Sequence, residues 1–167
     1  DNIESYSISP EGPFSAGIHQ VVLTVTDISN HQSSCNAVIT VLDTIPPQLI
    51  CPENMIVNSD LGKCTSIVTY TKPVGKDNCS IFGNGQISGI GPGGMFPKGI
   101  TTNLFYTEDG AHLKDSCSFT ITVKDLESPQ ILCPSNMEVH VAPGTCNAAV
   151  NYTKPLGTDN CSIYENS

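Results

Sequence analysis

The 167-residue chain has no tryptophan and no arginine, and its five Phe and five Tyr make aromatics only 6% of the total. Charged residues are 14%, about half the usual share. Seven lysines face sixteen Asp and Glu, for a net charge of −9. Without a guanidinium and with this acidic excess, a nucleic-acid partner is excluded, because phosphate binding relies on Lys and Arg to displace counterions. No apolar run approaches the roughly eighteen residues of a membrane helix, so no membrane span is expected in this segment. The first residues, Asp1-Asn2-Ile3-Glu4, do not read as a secretory leader.

Catalytic and metal signatures are missing too. No cysteine pair has CxxC spacing, which argues against a zinc ribbon or a thioredoxin-type site. The four histidines (His19, His31, His112, His140) are scattered, none at ligand spacing from a cysteine. There is no Gly-x-Ser-x-Gly elbow. Gly83-Asn84-Gly85 and Gly91–Gly94 do not open a helix after a strand, so they read as turns rather than phosphate cradles. The chain is not expected to be an enzyme, and no cofactor is expected.

What is abundant is punctuation and sulfur. Fourteen Gly and twelve Pro cut the chain into short pieces, and there are eight cysteines. They are Cys35, Cys51, Cys64, Cys79, Cys117, Cys133, Cys146 and Cys161. A dense, even count without metal spacing reads as disulfides in an oxidising compartment, the alternative being buried free thiols in a cytosolic protein. Val21–Thr26, Thr65–Tyr70 and Ser118–Val123 are β-branched and alternate with period two, and Met55–Asn58 and Thr102–Thr107 fit the same pattern. Asp60-Leu61-Gly62, Gly91-Pro92-Gly93-Gly94 and Asp109-Gly110 mark turns. No window offers a helix.

The chain also repeats itself at an offset of 82. Asp43–Phe82 lies on Asp125–Tyr164 without a gap, with 21 identities in 40 positions. Tyr70-Thr71-Lys72-Pro73 recurs as Tyr152-Thr153-Lys154-Pro155, and Asp77-Asn78-Cys79 as Asp159-Asn160-Cys161. The same offset carries Phe14, Gly17, Asp27, Cys35 and Ile39-Thr40-Val41 onto Phe96, Gly99, Asp109, Cys117 and Ile121-Thr122-Val123. A fixed period means tandem copies of one unit. Residues 44–125 are expected to be one complete repeat, 1–43 the C-terminal half of another, and 126–167 the N-terminal half of the next. About seven short strands per repeat suggest a β-sandwich.

The run Asp-x-x-Pro-Pro-x-Leu-Ile-Cys-Pro (43–52), then Gly-x-Cys (62–64), Pro-x-x-x-Asp-Asn-Cys-Ser (73–80), Phe-Pro-x-Gly (96–99), Tyr-Thr-x-Asp (106–109) and Cys-Ser-Phe-Thr-Ile-Thr-Val (117–123) resembles the hyalin repeat, or HYR, module. The resemblance runs through the chain in register. It implies an all-β chain of tandem immunoglobulin-like, fibronectin III-like sandwiches stapled by disulfides, of the kind found in extracellular adhesion and matrix proteins. One departure follows Asp109, where the family continues with a Gly-Asn pair and this chain has Gly110-Ala111-His112.

The family topology favours Cys51–Cys117 and Cys64–Cys79, with Cys51–Cys79 and Cys64–Cys117 as the alternative. By the same token Cys146 pairs with Cys161, and Cys133 pairs with Cys35 of the next copy. Loops of about 66 and about 15 residues would contribute roughly 4 and 3 kcal/mol. Asn151, Asn78 and Asn160 head glycosylation sequons. Asp43, Asp77, Asp109 and Asp125 are hard oxygen ligands near the joints that suit Ca²⁺, or else are solvated turn residues and caps. Two function classes follow: a structural protein that forms a fibre or rod by end-to-end stacking, with further copies of the same repeat as partner, or an adhesive segment of a cell-surface protein that meets a receptor or glycan. Either would lie outside the cell, secreted or on the surface, and could carry N-linked glycans.

Overall fold

The computed structural model describes residues 3–161. The described residues are all-β, with eleven strands and no helix, so none holds a helix long and apolar enough to cross a membrane. The strands are β1 (Ile3–Ser9), β2 (Gly17–Asp27), β3 (Gln32–Val41), β4 (Met55–Asn58), β5 (Thr65–Val68), β6 (Ile81–Ser88), β7 (Gly94–Pro97), β8 (Gly99–Asp109), β9 (Lys114–Lys124), β10 (Gln130–Ile131) and β11 (Gly157–Thr158). The offset of 82 carries β2 onto β8 residue for residue, and Gln32–Val41 of β3 onto Lys114–Val123 of β9.

The chain forms two compact units. The first gathers Asp1–Ile50, Pro73–Gly85 and Phe105–Cys117. Its β1, β2 and β3 make an antiparallel sheet, with β2 and β3 in continuous register from Gly17↔Val41 to Thr26↔Gln32. The hairpin bend is set by Asp27, whose Oδ1 accepts the Ser29 and His31 amides at 2.8 and 2.9 Å. Asp109 does the same for Ala111 and Leu113, also at 2.8 and 2.9 Å. The left-handed position of each bend falls on Asn30 (φ 65°) and, one period on, His112 (φ 64°). His112 takes that strained place for a non-glycine residue while its Nδ1 meets Glu108 Oε1 at 2.6 Å. Leu49, Phe105, Thr107 and Asp109 are buried. Gly83-Asn84-Gly85, expected to turn, lies inside β6. The reason is Tyr106, whose ring covers the two glycines; a Cβ on Gly85 would stand 2.9 Å from its Cε1. An aromatic laid over strand glycines replaces the packing they lack.

The second unit gathers Cys51–Lys72, Gln86–Leu104 and Ser118–Ser167. Here β4 runs parallel to β9, from Met55↔Ile121 to Asn58↔Lys124, and β5 pairs antiparallel with β7. The four-stranded order is β4-β9-β8-β6. Val68, Phe96, Phe119, Ile121 and Val123 are buried strand residues, all but Phe96 from the alternating runs. Tyr70 meets Phe119 edge to face at 4.9 Å, and its hydroxyl donates to the Ile90 carbonyl at 2.7 Å. Buried Asn103 accepts the Ile90 amide at 2.8 Å. Gly89, at φ +97°, is required beside it, since a Cβ there would meet Asn103 Oδ1 at 2.2 Å.

Candidate functional site at the Asp-Asn-Cys joints

The two Asp-Asn-Cys strings fold alike. The Cys79 amide donates to Asp77 Oδ2 at 2.8 Å, and the Cys161 amide to Asp159 Oδ1 at 2.9 Å. Such Asx turns come from a short carboxylate reaching the backbone two residues on. Each string lies beside the Asp that opens its joint. Asp43, Asp77 and Cys79 bring ligand atoms within 4.8 Å of one another, and so do Asp125, Asp159 and Cys161. Asp43 Oδ1 accepts the Ile45 amide and Asp125 Oδ1 the Glu127 amide, again one period apart.

At the Asp125 joint the string is locked in place. Asn160 Nδ2 donates to the Lys63 carbonyl at 2.8 Å and to Asp125 Oδ1 at 3.4 Å. The Gly62 amide donates to Glu127 Oε1 at 2.7 Å, and the Lys98 amide to the Cys64 carbonyl at 3.0 Å. These bonds set Cys64 against Cys161, and the two form a disulfide with Cα atoms 4.8 Å apart. Lys98 Nζ reaches Asp125 Oδ2 at 3.2 Å. Burial opposes the charge on Asp125, but the Glu127 amide, Lys98 and Asn160 outweigh it and lower its pKa.

This corrects two expected pairings. Cys64 bonds Cys161 and not Cys79, and Cys146 does not bond Cys161; Cys35, Cys79, Cys133 and Cys146 are exposed free thiols. The loop at Cys64 is held by Lys98 and by Glu127, Asn160 and Cys161, which belong to the joint and the repeat after it. Cys51 and Cys117 are each disulfide-bonded.

At the Asp43 joint the same parts are present and open. Asp43 Oδ2 and Asp77 Oδ1 are buried without a hydrogen-bond partner. Ala16 stands where the offset would place Lys98. Asn78 Nδ2 turns onto the Cys79 sulfur at 3.3 Å. The nearby Asp43 carboxylate, with burial and the charges of Asp77 and Asp109, pushes the Cys79 thiol pKa up. A cavity of about 460 Å³ opens here, lined among others by Ala16, Gly17, Asp43, Cys79 and Ser80.

Of the acidic residues expected to suit Ca²⁺, Asp43 and Asp77 come together, Asp125 takes a lysine instead, and Asp109 is a hairpin cap. Of the sequons, Asn151 and Asn78 are exposed, whereas Asn160 spends its amide on the joint; Ser162, which completes its sequon, lies outside the described residues. Lys63, Lys98 and Glu127 were not singled out from sequence. Lys63 and Lys98 stand at the unspecified positions of Gly-x-Cys and Phe-Pro-x-Gly, so the motif carried no signal for either.

The structure thus defines an all-β, disulfide-bonded module whose free and bonded cysteines alternate with the repeat. Residues 42–123 match the HYR family model, and this segment is an HYR domain. The chain is similar to Hyalin of Strongylocentrotus purpuratus, 32% identical over 164 residues, covering 92% of this chain and 13% of that protein. It is also similar to Hyalin of Lytechinus variegatus, 32% identical over 155 residues, covering 87% of this chain and 28% of that protein. The chain therefore spans under a third of the length of either relative. Among solved structures, protocadherin gammaB7 cadherin domains 1–4 match with a TM-score of 0.37 at 16% identity, covering 80% of this chain and 45% of that one. A cis-dimer structure of protocadherin gammaB7 matches with a TM-score of 0.36 at 14% identity, covering 78% and 44%.

Proposed function

We propose that this chain is a stretch of an extracellular structural protein made of tandem HYR repeats, which stack end to end into a rod or fibre. One observation carries the reading. Four apolar positions buried in 44–125 (Leu49, Val68, Tyr70 and Phe105) are exposed at their images Ile131, Val150, Tyr152 and Leu23, while Phe14, Ala37, Ile39 and Val41, the images of the other four, are half-buried. Leu23 is 40% exposed against 2% for Phe105, Val150 44% against 4% for Val68, and Tyr152 65% against 9% for Tyr70. Exposed apolar residues whose images form a core mark surfaces that a further copy would cover. Its disulfides support an oxidising compartment. The role is mechanical and not catalytic. If Ca²⁺ stiffens the array, it acts at Asp43 and Asp77, where one oxygen of each carboxylate lacks a partner, and not at Asp125, where Lys98 already supplies positive charge.

Small-angle scattering against protein concentration tests this. Particles that lengthen at constant cross-section support stacking; a fixed particle at all concentrations refutes it. A second reading, adhesion to a receptor or glycan, is favoured by the exposed Phe82 ring set edge-on to His112 at 5.5 Å, a surface on which a sugar face can stack. Binding on a glycan array that is lost in Phe82→Ala would support that reading over the first.

A further inference from the structure

Both halves of a second disulfide joint are already built and open. The loop that presents Cys64 is closed by the Asp60 amide on the Thr65 carbonyl at 2.8 Å and the Lys63 amide on the Asp60 carbonyl at 2.9 Å. One period on, the Ala142 amide meets the Asn147 carbonyl at 3.1 Å and the Thr145 amide the Ala142 carbonyl at 3.0 Å. The glycine before each cysteine has the same left-handed φ, 70° at Gly62 and 78° at Gly144. Cys146 sits on this preformed loop as an exposed thiol.

The receiving half is the cavity beside Cys79. Its walls include Ala16, Gly17, Asp43 and Cys79, the images of Lys98, Gly99, Asp125 and Cys161. Lys98 and Cys161 are the residues that grip the loop at Cys64, through the Lys98 amide and the disulfide. We propose that this cavity takes the Gly144-Thr145-Cys146 loop of a second copy of this chain, and that Cys146 of that copy forms a disulfide with Cys79. The inference rests on the end-to-end reading and adds a specific covalent link to it. The Ala16 amide would take the Cys146 carbonyl, and Asn78 would leave the Cys79 sulfur for the Thr145 carbonyl, as Asn160 does with Lys63. Two contacts of the Asp125 joint are not reproduced, since Ala16 replaces Lys98 and Ile45 replaces Glu127.

The step is thiol–disulfide exchange with a small disulfide such as oxidised glutathione. The first thiolate attacks it and releases one glutathione. The second thiolate attacks the resulting mixed disulfide and releases the other. Two thiols lose two protons and two electrons, and one glutathione disulfide becomes two molecules of glutathione.

The test folds the full chain in a glutathione redox buffer and maps its disulfides by non-reducing peptide mass spectrometry. Cys35→Ser and Cys133→Ser are included to silence the other exposed thiols. A Cys79–Cys146 peptide whose yield rises with protein concentration is expected. It should be lost in Cys79→Ser and in Cys146→Ser separately. A mixture of those two variants should give cross-linked dimers and nothing longer. A Cys64–Cys79 or Cys146–Cys161 peptide overturns the link, as does a chain that associates while both thiols stay free. In the last case scattering in reductant still shows lengthening particles, and stacking stands without the bond. A chain that neither links nor lengthens removes both.

Discussion

Lys98 Nζ lies 3.2 Å from Asp125 Oδ2, and the aspartate side chain is only 8% exposed. This pair closes the joint at which the Asn160 amide and the Cys64–Cys161 bond also converge. Its image at the other joint is Asp43 facing Ala16, a carboxylate without its cation.

The pair makes the joint acid-sensitive. The pKa of Asp125 is held below its ordinary 3.8. A carboxylate with a depressed folded pKa stabilises the fold above its unfolded value, and that contribution is lost as pH falls through the folded one. Lys98→Met should therefore lower Tm relative to wild type at pH 6, with the gap shrinking toward zero as pH falls from about 4 to about 2. A gap independent of pH in thermal melts would show that Lys98 acts only by packing.

The second unit rests on a few large side chains. Phe119→Ala should cost about 3–5 kcal/mol, because a buried ring leaves a cavity. Tyr70→Phe keeps the edge-to-face contact and removes the hydroxyl that donates to the Ile90 carbonyl, and should cost about 1–2 kcal/mol. Urea unfolding of both variants checks the order; equal costs would mean that Phe119 is not a core ring.

Cys79 should be a slow thiol. Its pKa is raised by the Asp43 carboxylate beside it, by burial and by the charges of Asp77 and Asp109, so less thiolate is present at a given pH. Asp43→Asn removes the first cause. Alkylation of Cys79 by iodoacetamide at pH 8 should then run faster than in wild type. An unchanged rate, followed by peptide mass spectrometry, would remove Asp43 as the cause.

Glycan should be found at Asn151 and absent from Asn160. The Asn160 amide donates to the Lys63 carbonyl and to Asp125, and a sugar on that nitrogen displaces one of its two hydrogens. Glycopeptide mapping after secretion from a eukaryotic host decides this; an occupied Asn160 would mean that the joint forms without its amide.

Much of the fold was legible because the apolar alternation at Val21–Thr26 and Ser118–Val123 sits inside β2 and β9, and because the offset of 82 is written in long identical strings. What escaped depends on contacts far along the chain. Met137–His140 resembles Met55–Asn58, yet only the latter is a strand among the described residues. The difference is β9, which pairs with Met55–Asn58, while its image falls past residue 167. The glycines of β6 read as a turn because Tyr106, more than twenty residues away, supplies their cover. The disulfide at Cys64 was misread for a related reason. Family topology suggested a bond inside one repeat, and the partner lies in the next, 97 residues on.

The parallel pairing of β4 with β9 decides how the repeat bears tension. The early strand of the repeat and its closing strand lie side by side and point the same way. A pull on the two ends of the repeat therefore slides one strand along the other, so that the rungs from Met55 to Asn58 must yield together rather than peel off in turn. Resistance to stretching is thereby placed in the sheet itself, while the Cys64–Cys161 bridge limits how far the chain can pay out at the Asp125 joint.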